Sequence, residues 1–212
     1  ERSRGLGDVY KRQEQGYTII MIGHKGHPEV EGTMGQIKGT MLLVETVKDV
    51  GKLAFNPPKN VLLAYVSQTT LSIDETRAIV TALKARYPNI KAPHKEDICY
   101  ATQNRQDAVK KLTEECDAII VVGSRNSSNS SRLREVAAKK GIPAYQVDGA
   151  ALLKENWFLT KYRIGVTAGA SAPEILVKEV LDTLKSWGFK HIIENPGAKE
   201  NIVFVLPKKL RT

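Results

Sequence analysis

Gly23-His24-Lys25-Gly26-His27-Pro28-Glu29-Val30-Glu31-Gly32-Thr33 follows directly on an apolar run at residues 17–22. An apolar run that ends in Gly-His reads as a buried strand, here 18–22, emptying into a loop. Pro28 is a favoured first-turn residue, so a short helix is expected from there, with Glu29 and Glu31 set against the positive end of its dipole. Open α/β sheets bind ligands outside the carboxyl ends of their strands. His27 and Glu29 therefore stand where chemistry usually sits.

The same strand–loop–helix unit recurs outward from this stretch. A strand is expected at 41–44, then a short helix at 47–55 stopped by Asn56-Pro57-Pro58. A strongly apolar strand at 60–66 runs into Ser67-Gln68-Thr69-Thr70. Ser72-Ile73-Asp74-Glu75 has the spacing of a capping box and opens a helix to about Tyr87. Leu71, Ala78, Ile79, Ala82 and Leu83 form its apolar face. Residues 89–96 are polar and turn-rich, which places a domain boundary there. Asp97 is a possible cap for a helix at 99–115. The run 118–122 empties into Gly123-Ser124-Arg125-Asn126-Ser127-Ser128-Asn129-Ser130, ahead of a helix at 131–140 that Gly141 stops. A strand at 144–147, a short helix at 150–156 and a strand at 163–167 follow. Ser171-Ala172-Pro173-Glu174 reads as a second capping box, with Ser171 as N-cap of a helix to Trp187 that Gly188 ends.

Strands alternating with helices imply parallel sheet covered by helices. The fold class is α/β, as two similar small parallel-sheet domains at 14–95 and 96–188, followed by a tail at 189–212 with one apolar stretch at 202–206. Residues 1–13 show no clear period, resemble adapter read-through and are set apart as a non-native leader.

The bulk properties narrow the function class. With 42% hydrophobic and 26% charged residues the chain is ordinary for a globular protein. No apolar run approaches the ~20 residues needed to cross a bilayer, and no signal peptide is visible, so a cytoplasmic location without membrane attachment is expected. The net charge of +9 is spread along helices with no dense basic run and no nucleic-acid motif. A phosphorylated small molecule is the expected anionic partner rather than nucleic acid. Two cysteines, Cys99 and Cys116, are no disulfide scaffold and fit a reducing compartment.

Four places could carry chemistry. The serine-rich loop at 123–130 precedes a helix N-terminus, which offers free N–H groups and a positive dipole to an anion. Capping needs one serine and this loop supplies several. Ser171 would share that rim. Cys99 sits at a helix N-terminus, a position that favours the thiolate that binds metal or attacks. A small buried hydrophobe is the other reading of the same residue. His27 and Glu29 could form an acid–base pair, or could be a histidine satisfied by backbone and a glutamate serving the helix dipole. Thr69 and Thr70 could point hydroxyls at a ligand, or could serve the turn.

Taken together, Gly26-His27-Pro28-Glu29-Val30-Glu31-Gly32-Thr33, Ser67-Gln68-Thr69-Thr70-Leu71-Ser72, Asp97-Ile98-Cys99-Tyr100-Ala101-Thr102-Gln103-Asn104-Arg105, Ser127-Ser128-Asn129-Ser130 and Val166-Thr167-Ala168-Gly169-Ala170-Ser171 resemble the 4-hydroxy-3-methylbut-2-enyl diphosphate reductase family. These iron–sulfur enzymes end the non-mevalonate isoprenoid pathway. The resemblance runs from about Tyr17 to Trp187. It implies three pseudo-symmetric α/β domains around a central cluster, of which this chain would hold the second and third. The first domain, with two further cysteine ligands and two diphosphate-binding histidines, would be missing. By position, Glu29 matches the proton-relay glutamate, His27 the histidine beside the substrate, and Thr69 the threonine that orders the substrate hydroxyl. Ser127, Ser128, Asn129 and Ser171 match the diphosphate-binding residues, and Cys99 matches one of three cysteines on a [4Fe–4S] cluster. The implied reaction is a two-electron reductive dehydroxylation of an allylic diphosphate to isopentenyl and dimethylallyl diphosphate, with ferredoxin or flavodoxin as electron donor. A chain holding one cluster cysteine is expected to be inactive alone. The alternative is a non-redox α/β module that binds a phosphorylated small molecule.

Overall fold

The computed structural model describes residues 4–37, 39–58, 61–93 and 98–194. The expected α/β class holds: the described residues form two three-stranded parallel sheets. In the first, β1 (Thr18–Ile22) lies between β2 (Met41–Val44) and β3 (Leu63–Ser67). In the second, β4 (Ala118–Val122) lies between β5 (Ala144–Val147) and β6 (Ile164–Ala168). Both central strands are continuous apolar runs because both their faces are covered. Alternation sorts their side chains. Ile19 and Met21 pack with Val30 and Val66 on one face, while Ile20 and Ile22 pack with Val50, Ile79 and Leu83 on the other. In the second sheet Ile119 and Val121 face Val109 and Leu133, and Ile120 and Val122 face Phe158, Val180 and Leu184.

The helices repeat as the strands do. α1 (Arg4–Glu14), α2 (Pro28–Gly35), α3 (Val47–Lys52) and α4 (Ile73–Arg86) belong to the first unit. α5 (Tyr100–Glu115), α6 (Ser128–Lys139) and α7 (Glu174–Ser186) belong to the second. Two short 3₁₀ turns, Ala150–Leu152 and Glu155–Trp157, stand where a short helix was expected. α1 precedes its central strand as α5 does. This corrects the reading of residues 1–13 as a leader outside the fold. From Arg4 onward the segment is helical, Val9 is buried against Ile19 and Met21, and the Arg12 guanidinium donates to Lys91 O at 3.3 Å and to Ala92 O. Leu6, Val9 and Tyr10 have the i, i+3, i+4 spacing of a helical face, a signal shorter than the windows in which such a period is ordinarily read.

Other boundaries shift for local reasons. α6 begins at Ser128, three residues before its expected start, so Ser128 and Asn129 lie in its first turn instead of a loop. The second capping box does not form. α7 starts at Glu174, its N-cap is Pro173, and Ser171 is exposed in a turn. Ala172 precedes a proline, which disfavours the helical conformation the box would need there. The first box forms by half: Ser72 Oγ accepts from Glu75 N at 3.4 Å, while the Glu75 carboxylate turns to Arg132 and Lys139 of the second unit. The expected cap Asp97, residues 94–96 at the domain boundary and the tail stretch 202–206 lie outside the described residues.

Candidate functional site

The two central strands end in loops of the same build, one hundred residues apart. Gly23 N donates to Val44 O (3.1 Å) and Gly123 N to Val147 O (2.9 Å). His27 N closes on His24 O (3.1 Å) and Ser127 N on Ser124 O (2.9 Å). Lys25 N is held by Glu45 Oε2 (3.2 Å) and Arg125 N by Asp148 Oδ1 (3.1 Å), each acceptor being the residue just past the neighbouring strand. On this shared frame the side chains diverge.

In the first loop His27 is the N-cap of α2, and its Nδ1 accepts from Glu29 N at 3.2 Å. The proton of the neutral ring therefore sits on Nε2, which donates to Ser128 Oγ of the second unit at 2.6 Å. No His27–Glu29 side-chain pair forms. Glu29 faces Thr69 instead, accepting from Thr69 N on Oε1 and from Thr69 Oγ1 on Oε2, both at 3.0 Å. Strand order explains the pairing: β1 and β3 are neighbours, so their carboxyl ends meet. Thr70 serves the turn, accepting from Gln68 Nε2 at 2.9 Å. Gln68 is buried, and its Oε1 accepts from His24 N at 3.1 Å. It braces the β1–α2 loop against the β3–α4 loop, and the sequence signal for it is a glutamine directly past a buried strand.

Cys99 is the N-cap of α5, exposed and without a side-chain capping bond. Its N–H donates to Thr69 O at 3.2 Å. Glu29, Thr69 and Cys99 are thus linked in series. Cys116, at the other end of α5, is half-buried, and burial pushes its thiol pKa up.

In the second loop Ser127 caps α6, accepting from Ser130 N (3.3 Å) and Ser130 Oγ (3.1 Å). Asn129 is 8% exposed, and neither its Oδ1 nor its Nδ2 has a protein partner. Buried amides are nearly always bonded, so a water or a ligand is the expected partner of this one. Gly169 packs against Ser127 and Ser130, which brings the loop carrying Ser171 to the same rim. The His27–Ser128 bond joins the two loops. A cavity of about 230 Å³ beside it is lined by His24, His27, Gln68, Ser128 and Arg132, among others.

The expected cluster can be tested against these residues. Cys99 fits as one ligand, because its thiol is exposed and free of a capping role. A four-iron cluster is held by several thiolates. The sequence holds just one further cysteine, separated from Cys99 by the length of α5, about 25 Å for 17 residues of helix. Among the described residues no three His, Cys, Asp or Glu side chains group as a metal site. Cys99 therefore fits as a partial ligand set.

Fold and site together define an α/β protein of two repeated parallel-sheet units, with a carboxylate–threonine–cysteine series on one loop system and hydroxyls at a helix N-terminus on the other. The chain belongs to the LytB protein family, whose model matches residues 6–185. It is 64% identical over 205 residues to the 4-hydroxy-3-methylbut-2-enyl diphosphate reductase of Neisseria gonorrhoeae, an alignment that covers 96% of this chain and 63% of that protein. It is 59% identical over 204 residues to the same reductase of Chromobacterium violaceum, covering 96% and 65%. The solved structure of the E-1-hydroxy-2-methyl-but-2-enyl-4-diphosphate reductase of Plasmodium falciparum superposes with a TM-score of 0.88 at 37% identity, covering 96% of this chain and 64% of that one. The chain thus spans a little under two thirds of the length of these relatives. No helix among the described residues is long and apolar enough to cross a membrane.

Proposed function

We propose that this chain carries two units of an iron–sulfur reductase acting on (E)-4-hydroxy-3-methylbut-2-enyl diphosphate. The observation that carries the reading is Asn129, a buried amide with no protein partner at the N-terminus of α6 between Ser128 and Ser130. A helix N-terminus with spare amide and hydroxyl groups holds a diphosphate without a dedicated lysine. Ser127, Ser128, Asn129 and the rim residue Ser171 are its proposed ligands. His27 stands between that anion and Glu29.

The overall change is an allylic alcohol plus two electrons and two protons giving an alkene and water. Hydroxide leaves poorly and water leaves well, so one proton must reach the hydroxyl as the C–O bond breaks. Glu29 is the proposed donor, and Thr69 orients its carboxyl group through two hydrogen bonds. Protonation at either end of the allylic unit accounts for isopentenyl and dimethylallyl diphosphate as products. A [4Fe–4S] cluster, when bound, would relay the two electrons one at a time from an external donor, and Cys99 is the residue of this chain that would help hold it. The remaining ligands come, in this proposal, from the part of the relatives that this chain does not match. Ferredoxin or flavodoxin is the proposed electron donor, and the cytoplasm the proposed compartment, consistent with two free cysteines.

The test has two arms. Calorimetric titration of the 212-residue chain with inorganic diphosphate is expected to show one site, lost in Ser128→Ala. A chain extended to the length of its relatives and reconstituted anaerobically is expected to bind a cluster and reduce the substrate, with Glu29→Gln silent in turnover. Diphosphate binding with no cluster in the extended chain would leave a non-redox phosphate-binding module as the function. Saturable binding that survives both Ser128→Ala and Asn129→Ala would remove the proposed site.

A further inference from the structure

One cluster of charged side chains between the two units is not used by the proposed chemistry. Arg132 lies on α6 one turn beyond Ser128 and is only 9% exposed. Its Nη1 donates to Glu135 Oε2 at 2.7 Å and to Glu75 Oε2 on α4 at 3.2 Å. Its Nη2 lies 2.7 Å from His24 Nε2, in the loop that leads to Glu29. A guanidinium only donates, so His24 Nε2 must offer a lone pair and the ring proton must sit on Nδ1. Nδ1 faces Glu45 Oε2 at 3.6 Å, and the same oxygen accepts from Lys25 N. The backbone N–H of His24 goes to the buried amide of Gln68, and Lys139 lies against Glu75.

We infer that Arg132 is a positioning residue: it clasps the N-terminal turn of α6 onto the His24–Glu29 loop and thereby sets the distance between Ser128 and His27. Its three partners come from three elements, α4, α6 and the β1–α2 loop. A planar fork can satisfy them together where a lysine ammonium cannot. The arrangement also has a signature. His24 carries its proton on Nδ1 while His27, whose Nδ1 accepts from Glu29 N, carries it on Nε2.

Long-range proton–nitrogen NMR of the imidazoles reads these tautomers without ligand, at a pH where both rings are neutral. The wild-type chain is expected to show His24 as Nδ1–H and His27 as Nε2–H. Arg132→Met keeps the aliphatic stem, and there His24 is expected to revert to a mixture dominated by Nε2–H, with the His27 resonances shifted as the Ser128 contact loosens. Affinity for inorganic diphosphate is expected to fall about tenfold, the size of one charge-assisted hydrogen bond's worth of positioning. Arg132→Lys should fall between the two. Glu75→Gln, a change on the far side of the guanidinium from the anion, should shift His24 in the same sense. Unchanged tautomers and His27 signals in Arg132→Met overturn the clasp. So does an Arg132→Met chain that loses diphosphate with both imidazoles undisturbed, because the guanidinium would then be touching the anion itself. If Arg132→Met does not fold, Arg132→Lys and Glu75→Gln carry the same readouts. This inference rests on the diphosphate reading in its affinity arm alone. A wild-type chain that fails to bind diphosphate defeats that reading and leaves the tautomer test standing.

Discussion

The two central-strand loops have one backbone and two chemistries. From Gly23 and from Gly123 the chain makes the same turn, closes the same hydrogen bonds and opens a helix at the sixth residue. The first loop then spends its polar groups internally: His27 on Glu29 N and Ser128, Glu29 on Thr69. The second leaves Asn129 without a partner. In the proposed function the carboxylate–hydroxyl pair of the first loop delivers a proton, and the buried amide of the second meets the anion at the helix N-terminus. Repetition of the frame sets the two loops on either side of the His27–Ser128 contact.

The largest expected effect tests how alike the two frames are. Gly123 has φ +153°, and a Cβ there would collide with Ser130 Oγ, itself bonded to Ser127. Gly23 lacks a positive φ, and its added methyl would press mainly on the Val30 side chain. Gly123→Ala is expected to cost about 3 kcal/mol and Gly23→Ala about half that, read by denaturant unfolding. Equal losses would mean that the backbone strain is shared. Next comes Glu29→Ala, which leaves the Thr69 N–H and hydroxyl without their acceptor. A loss of about 2 kcal/mol is expected, with diphosphate affinity unchanged because the proposed anion site lies on the other loop.

The opposite sign is expected for Asn129→Leu. Replacing a buried amide that has no protein partner by an apolar side chain of similar size should raise stability by about 1 kcal/mol while abolishing diphosphate binding. Loss of both stability and binding would show that Asn129 holds the fold instead of a ligand. The smallest effect concerns one aspartate in each unit. The backbone N–H groups of Arg163 and then Tyr162 hold the Asp117 carboxyl below its ordinary range, as the Thr46 hydroxyl and then its N–H do for Asp49. A depressed pKa contributes stability that is complete above the ordinary aspartate range and is lost as pH falls through the lowered value. Acid unfolding followed by circular dichroism is therefore expected to show Asp117→Asn less stable than wild type near neutrality and merging with it in strong acid. A constant difference at all pH values would remove the carboxylate's role.

Much of the frame was legible in the chain because it is local. β2 and β4 fall where unbroken apolar runs place them, β1 and β5 match their expected bounds with one polar residue each, α2 starts at its proline, and Gly188 closes α7. The misses have two causes, partners distant in sequence and, at Ser171, a neighbouring proline. α1 joins the fold through Val9 and Arg12, whose partners lie up to 80 residues away. Ser171 loses its cap to the conformational demand of Pro173 on Ala172. Gln68 and Arg132 carry no motif, since a glutamine or an arginine declares its partners only after folding. The site residues were placed by resemblance more than by spacing: nothing in the distance from Glu29 to Thr69 announces their contact.

The sequence by itself determined the α/β alternation, the repeated loop–helix starts, the family and the residue types at the strand ends, because each depends on neighbours within a few positions. Tertiary structure alone decided that Glu29 meets Thr69, that Cys99 hangs from Thr69 O, that His27 reaches Ser128 and that Arg132 fastens on His24. Those contacts follow from which strand lies beside which and how the two units abut, and strand order is a property of long-range burial that no local pattern encodes.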